Sequence, residues 1–554
     1  MKLIDVGKII VSPFEFESIL EIRIEKELNE HSRLYVCGIV RDEKQFTPVA
    51  DSTEGVSIKC ENDGLVYFSG VLQNVKITCV DAVYRLEAYA ISNTILLDTQ
   101  KHKRSFQDNG QDYQAIVESV IADFGATVTY NADTTTVENI ILQYNETDWE
   151  FAKRLASHTN DVLIPITDDS PAFHFGATDE GSAKLVSSDF SISRNFDAIR
   201  RFDASRTIEE EKAADLLKLT DDDVTIYTFE TDEYVCDLGE KLNFNGADLH
   251  VCHLSLSFEK SALSVVYTLC AKQAISIPKY YNPAITGLVL DGKVLEIEND
   301  TVKLRLDDDK ERGVELDTDE AHFFKYATGY SAEGHTGWYV MPQVDDILQL
   351  VFPNEDEKYA YAKSAIRQED TDKTTNYEVK FWRSTFTDGT SDKEIKMGEK
   401  EILITAKDGE TFIKINEDTG ITIKTPHPIL ISSGSTLTMT SDDDMTITTE
   451  KNLYIEAKDN IKMVCGGNNM EFDELGGQGI SMATDKEYKL ASDDNATVDG
   501  KKEISVKSGK DMILDSGSKL SESATTQIDL SAAGSSMMMK SSGVDIKGAL
   551  IKEN

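Results

Sequence analysis

Residues 413 to 546 carry a fixed ruler. Pairs of apolar residues, split by one residue between them, recur every eight residues. The first run is Ile413/Ile415, Ile421/Ile423, Ile429/Ile431, Leu437/Met439, Met445/Ile447, Leu453/Ile455 and Ile461/Met463. After a slip of three residues the ruler restarts at Ile480/Met482. It continues through Tyr488/Leu490, Ala496/Val498, Ile504/Val506, Met512/Leu514, Leu520/Glu522, Ile528/Leu530, Ser536/Met538 and Val544/Ile546. Over these 32 positions only Glu522 and Ser536 are not apolar, in a chain that is 40% hydrophobic.

The i, i+2 spacing puts both apolar side chains of a pair on one face of a strand. Turn-tolerant residues separate the pairs, as in Glu417-Asp-Thr-Gly420, Ser441-Asp-Asp-Asp444 and Ser508-Gly-Lys-Asp511. A short strand, a corner and another strand, repeated, make a β-solenoid. Two apolar residues per octad give a single chain only a thin core. Three chains wound about one axis close that core and leave no free lateral sheet edge. The ruler therefore predicts a trimeric triple-stranded β-helix needle over 401–554, with the apolar pairs as its trimer core. A monomeric solenoid or a low-complexity Ser/Asp/Lys tail is the other reading, and the fixed octad argues against disorder. The interruption at 464–479, with Cys465-Gly-Gly467 and Gly476-Gly477, predicts an outward loop.

Charge narrows the partners. The chain has 57 basic and 99 acidic residues, a net charge of -42. Nucleic acid and anionic membrane surfaces would repel it. No apolar run is long enough to cross a membrane, and Met1-Lys-Leu-Ile-Asp-Val-Gly7 does not read as a secretory signal. The seven cysteines, at 37, 60, 79, 236, 252, 270 and 465, show no disulfide-framework spacing. They are expected to be reduced strand residues of a cytoplasmically made protein.

The rest of the chain reads as mainly β with a few helices. Residues 1–110 alternate with period two (Leu20, Ile22, Ile24; Leu34, Val36; Val56, Ile58, Cys60), with Asn62-Asp-Gly64 as a turn. This predicts a first barrel-type domain. Residues 111–280 predict helices at 111–124 and Thr147–His158, a third at Thr207–Leu217, and a second barrel-type domain. Residues 284–367 hold five strand candidates, at Gly287–Leu290, Val302–Leu306, Gly337–Val340, Ile347–Phe352 and Tyr359–Ala362, which suit an OB-fold barrel. Residues 368–400 are polar and read as a linker.

Chemistry is hard to find. There is no Gly-x-Ser-x-Gly, His-Glu-x-x-His, Walker A or EF-hand pattern. In His250-Val-Cys-His253, strand alternation points His250 and Cys252 one way and His253 the other, which disfavours a metal. The Asp runs at 221–223, 307–309 and 442–444 read as solvated turns rather than calcium loops. Gly329-Tyr-Ser-Ala-Glu-Gly334 lacks a strand–turn–helix setting and reads as a loop. Arg154 and Glu146 are expected to form a structural ion pair. No catalytic residue, cofactor or metal is expected, and no enzyme domain is expected after the last octad.

Four stretches resemble the VgrG family, the spike proteins of type VI secretion and related phage-tail-like machines. Phe68-Ser-Gly-Val-Leu72 with Tyr84-Arg-Leu-Glu-Ala88 is similar to the family's first barrel. Ile95-Leu-Leu-Asp98 with Arg104-Ser-Phe-Gln-Asp108 and the following helix resembles its barrel-to-helix junction. Gln143, Tyr144, Glu146, Asp148, Phe151, Arg154 and Leu155 match its Gln-Tyr-x-Glu-x-Asp-x-x-Phe-x-x-Arg-Leu signature. Met341-Pro-Gln-Val-Asp-Asp-Ile-Leu-Gln-Leu-Val-Phe352 is similar to its OB-domain signature. There the family usually has Gly where this chain has Asp345, a departure that leaves the turn open to change.

The resemblance implies paired barrels in a pseudo-sixfold hub, an OB-fold collar and the β-helix needle. It implies a homotrimer at a baseplate centre, below an inner tube of Hcp-like protein, assembled in the cytoplasm. Firing would drive it out through a target membrane, pierced mechanically, with effector cargo aboard. The apolar Val544, Ile546, Leu550 and Ile551 near the end of the needle would dock a small PAAR-like tip protein. A contractile phage or tailocin tail spike is the runner-up. A trimeric surface fibre or adhesin would need a secretion signal or receptor-binding tip, and neither is visible.

Overall fold

The structure, a computed structural model, describes residues 9–47, 55–204, 218–259, 262–307, 316–331, 337–367, 376–384, 393–473 and 479–552. The chain divides into two compact units, 1–426 and 427–554.

The first unit is built on a 12-stranded sheet. Strand Phe16–Glu27 shows why it forms: Ile22 and Ile24 point into the core while the residues between them face outward. Lys26 continues that inward face. It is buried because its ammonium bonds both carboxylate oxygens of Asp237 at 2.8 Å and the Thr167 hydroxyl at 2.7 Å. The turn read at Asn62-Asp-Gly64 is a two-residue hairpin. Asn62 pairs with Leu65, and Asp63 and Gly64 both take positive φ, 47° and 80°.

The two barrel-type domains expected over 1–110 and 111–280 are not separate. Strand Ala247–Glu259 pairs along His253–Glu259 with Glu27–Glu21 of the first half, which makes one continuous sheet. Alternation fixed which residues face inward in each half. It carried no information on which edges would meet, because edge pairing is made by backbone groups common to all residues.

Two helices fall where the period predicts. Helix α1, Tyr113–Ile121, buries Tyr113, Ile116, Val117, Val120 and Ile121, and the Asp112 side chain caps it by accepting from the Ala115 amide at 2.8 Å. Helix α2, Asp148–His158, begins with a capping box between Thr147 and Glu150. The helix expected at Thr207–Leu217 lies outside the described residues. A helix that the sequence did not suggest, α3, spans Phe196–Ala204 and buries Phe202.

Five strands close a small barrel: Val289–Glu298, Thr301–Leu306, Phe323–Ala327, Ile347–Val351 and Tyr361–Ala365. Numbered by sequence, their order round the barrel is first, second, third, fifth, fourth. Its core includes Val294, Val302, Leu304, Phe324, Leu348, Leu350 and Ala362. Gly337–Val340 is not a barrel strand as expected. Gly337–Trp338 pairs with Tyr330–Ser331 outside the barrel, and Trp338 is exposed. Its place is taken by Phe323–Ala327, where Phe324 turns inward. Gly337–Val340 was one of five strand candidates, but burial decided which segment joined the barrel.

Strands Lys380–Ser384 and Lys393–Met397 lie inside the segment read as a linker. They pair in one five-stranded antiparallel sheet with Glu401–Lys407, Thr411–Asn416 and Gly420–Lys424. The second unit holds two three-stranded meanders, Asn460–Cys465/Asn468–Asp473/Gly479–Ala483 and Gln527–Ala532/Ser535–Lys540/Gly543–Lys547. Residues 425–459 and 484–526 form no strand within the chain. The interruption at 464–479 is thus not a plain loop. A turn at Gly466, φ 59°, sends Asn468–Asp473 back antiparallel to both flanking strands.

Candidate functional site

The signature residues converge on a buried polar node at the start of α2. Strand Ile141–Glu146 delivers Gln143 and Glu146, and the first turn of α2 delivers Asp148. The Gln143 amide donates to Asp148 Oδ1 at 2.9 Å, and Arg104 donates to the same oxygen at 2.5 Å and to Gln143 Oε1 at 3.1 Å. Asp148 stands where the helix amides are unpaired and the dipole favours a negative charge. Phe151 and Leu155 turn into the core, and Tyr144 is half-buried.

Arg154 has 0% exposure. Its guanidinium donates to Glu146 Oε1 at 2.8 Å, to Glu146 Oε2 at 2.9 Å and to the Leu142 carbonyl at 2.9 Å. The remaining bond goes to Glu357 Oε1 at 2.9 Å. Burial alone would pull the guanidinium's pKa down, but Glu357 and Glu146 more than reverse this and hold it above its ordinary value. Glu357 sits in the short turn before the last barrel strand, so one buried cation ties the signature helix to the barrel. Pairing of Glu146 with Arg154 was expected, and Glu357 was not. No local spacing marks a partner 203 residues away.

His158 closes the same helix. Its Nδ1 lies 3.1 Å from the Tyr113 hydroxyl and its Nε2 lies 3.2 Å from the Tyr280 carbonyl. Burial first, then the neighbouring charges of Arg154 and Lys279, hold it well below the ordinary histidine range.

Asp345 takes a left-handed backbone, φ 77°, at the position where the resembled family usually has glycine. Its carboxylate meets Lys293 Nζ at 2.6 Å. Aspartate is among the few side chains that tolerate this region.

The ruler residues form apolar faces. In the first unit, Ile413 lies opposite Ile404 and Ile423, and Ile415 lies opposite Ile402 and Ile421. Directly opposed residues of an antiparallel pair share a face. In the second unit, Ile461 lies opposite Phe472, which lies opposite Ile480, and Met463 lies opposite Met470, which lies opposite Met482. At the last meander, Ile528 and Leu530 face Met539 and Met537, and these face Val544 and Ile546. The ruler had assigned Ser536/Met538 there. The face is instead made by Met537 and Met539, which explains why Ser536 is not apolar. Leu437, Met439, Met445, Ile447, Leu453, Ile455, Ile504 and Val506 are exposed and have no strand partner in the chain.

Of the four tip positions, Ile546, Leu550 and Ile551 line one open cleft of about 1030 Å³, together with Val506, Leu530 and Met537. Val544 is exposed but lies outside its lining.

His250 is buried opposite Cys270, whereas His253 pairs with Glu25 at 3.3 Å. The two do not converge. Asp223 accepts from the Thr220 amide and hydroxyl, both at 2.7 Å, as a turn cap. Asp442 to Asp444 are exposed, and Asp308 and Asp309 lie outside the described residues. Among the described residues no three His, Cys, Asp or Glu side chains gather as a metal site. Among the described residues no helix is long and apolar enough to cross a membrane.

No protein-family profile matches the sequence. No curated protein matches it either. Solved structures do resemble the fold. An Escherichia coli type VI secretion component, itself described as structurally similar to the T4 bacteriophage tail proteins gp27 and gp5, is 12% identical; the match covers 65% of this chain and 100% of that one, with a TM-score of 0.45. A Francisella PdpA–VgrG complex is 10% identical over 75% of this chain and 87% of that one, TM-score 0.47. A 43 kDa tail protein of prophage MuSo2 from Shewanella oneidensis is 13% identical over 49% and 99%, TM-score 0.38. In fold, then, the chain is similar to a type VI secretion component, to VgrG in complex with PdpA, and to phage tail proteins.

Proposed function

We propose that this chain is the trimeric central spike and hub of a contractile injection machine, without enzymatic activity. The observation that carries this reading is the unpartnered ruler. Ile431, Ile447 and Val506, none of which has a strand partner in the chain, are 65%, 65% and 72% exposed. Dozens of such side chains at fixed spacing are a large apolar surface for one soluble chain to leave in water. Three copies wound into a triple-stranded β-helix bury them all and pair the strands left single.

On this reading the 12-stranded sheet and its helices form the hub, toward an Hcp-like inner tube and the baseplate. The five-stranded barrel is the OB-type collar. Residues from about 401 onward form the needle that breaches the target membrane mechanically. A PAAR-like tip protein sits on Ile546, Leu550 and Ile551, and effector cargo travels with it. The spike assembles in the cytoplasm and leaves on firing.

Sedimentation of the full chain tests the reading, with a trimer as the expected species. A folded, soluble monomer at micromolar concentration overturns it.

A further inference from the structure

The five-stranded sheet over 380–424 has two unlike faces. Read across it in register, Trp382 lies opposite Ile395, Ile395 opposite Ile404, Ile404 opposite Ile413, and Ile413 opposite Ile423. The adjacent row runs Met397, Ile402, Ile415, Ile421. Opposed residues share a face, and so do residues two apart in one strand. One face therefore carries nine apolar side chains, with Lys380 at its corner opposite Met397.

The other face is charged, and its charges find partners within the sheet. Phe381, Lys396, Leu403, Lys414 and Thr422 form one of its rows. Lys396 and Lys414 reach Glu401 at 3.7 and 3.3 Å, and Arg383 pairs with Glu394. Lys424 lies over the Phe412 ring, and both Phe412 and Leu403 are half-buried. Long charged side chains cover apolar neighbours in this way while their heads stay in water.

The apolar face has no such cover. Trp382 and Met397 are 56% and 52% exposed, and Ile402, Ile404, Ile413, Ile415, Ile421 and Ile423 are exposed with them. A contiguous apolar face of this extent is an interaction surface.

What covers it follows from its continuity with the ruler. Ile413/Ile415 and Ile421/Ile423 are the first two octads and also lie in the last two strands of this sheet. Neighbouring strands stand about 4.8 Å apart, so a copy that buries those isoleucines also lies over Ile402 and Ile404. From there the same row runs two strands further, to Trp382. A face without acidic residues is also one on which copies of a chain with net charge -42 can meet without like-charge repulsion.

We propose, resting on the trimeric reading above, that the contact between copies begins at Trp382, upstream of the first octad. Three such sheets, one from each copy, pack their apolar faces together about a common axis. The chain turns back after each strand, as at Gly409 with φ 67°, so each copy supplies a whole sheet here and not single interwound strands. Lys380–Ser384 and Lys393–Met397 are then part of the subunit interface. Trp338 stacks on Trp382 with ring centroids 6.2 Å apart and planes at 20°. That stack brings the hairpin outside the small barrel to the rim of the contact.

The test uses the full chain with Met397→Cys or Ile404→Cys on the apolar face, and Lys396→Cys on the charged face as control. Each variant is sedimented, labelled with a maleimide in the native state, digested and read by mass spectrometry at the introduced cysteine. A urea-unfolded sample gives the rate without protection. The expected result is a trimer in which positions 397 and 404 label at least about tenfold more slowly than position 396. A trimer that labels as fast at 397 and 404 as at 396 overturns this inference and leaves the trimeric reading standing. A monomer overturns both.

Discussion

Arg154 and Glu357 stand 203 residues apart in sequence and 2.9 Å apart in space, with the guanidinium fully buried between the signature helix and the five-stranded barrel. A buried cation held by two carboxylates and a carbonyl is specific to one docking of the helix on the barrel. Its worth to stability lies less in the pair itself than in the penalty for breaking it.

Arg154→Met should therefore be strongly destabilising. It leaves Glu146 and Glu357 buried without their cation, at a cost of about 3–5 kcal/mol. Combining it with Glu146→Gln and Glu357→Gln removes the stranded charges and should restore much of the loss. Thermal unfolding followed by circular dichroism checks both. Equal melting of Arg154→Met and wild type would mean the node is slack.

The ruler makes a second prediction. Ile447→Asp with Ile455→Asp would place three carboxylates at each of two levels of a closed trimer core, each costing several kcal/mol. In sedimentation velocity the full-length double variant should lose the trimer that the wild type forms. An unchanged trimer would place the subunit contacts outside the octads.

Registration of the last meander gives a sharper contrast. Met537 and Met539 share a face with Leu530 and Ile546, while Met538 lies opposite Asp529 and Asp545. Met538→Lys should be tolerated, since it meets two carboxylates. Met537→Lys should lower the melting temperature of the assembly by several degrees. The reverse ranking would restore the unbroken octad count.

His158 supplies a pH dependence. Burial and the charges of Arg154 and Lys279 depress its pKa in the folded state, and Tyr113 and Tyr281 also pack against it. The unfolded chain binds this proton near the ordinary value of ~6.5, while the folded chain resists it. Stability is thus intact above that pH and falls as pH drops below it, by at most about 1.4 kcal/mol per pH unit for one group. His174, His250 and His322 are also lowered by burial and add the same sign. Unfolding midpoints between pH 7.5 and 5 should fall less steeply in His158→Gln than in wild type. Parallel slopes would remove His158 from the account.

For the tip, Leu550→Asp with Ile551→Asp should abolish co-purification of a PAAR-like partner while leaving the trimer intact, because both residues line the terminal cleft. Undiminished capture would put the partner elsewhere.

The sequence alone determined whatever depends on neighbours a few residues apart. Period-two alternation marked Ile22 and Ile24 as inward, period 3.6 marked helices at 111–124 and Thr147–His158, and Asn62-Asp-Gly64 marked a hairpin, because strand, helix and turn geometry are local. The octads likewise announced an apolar face needing cover. What tertiary structure decided was everything fixed by distant partners. It joined the expected barrels through His253–Glu259 and Glu27–Glu21, put Phe323–Ala327 rather than Gly337–Val340 in the small barrel, and moved the terminal apolar face from Met538 to Met537 and Met539. It also gave Arg154 its second carboxylate. Backbone edges carry no residue label, and a buried cation can be satisfied from anywhere in the chain, so neither choice leaves a trace in local spacing.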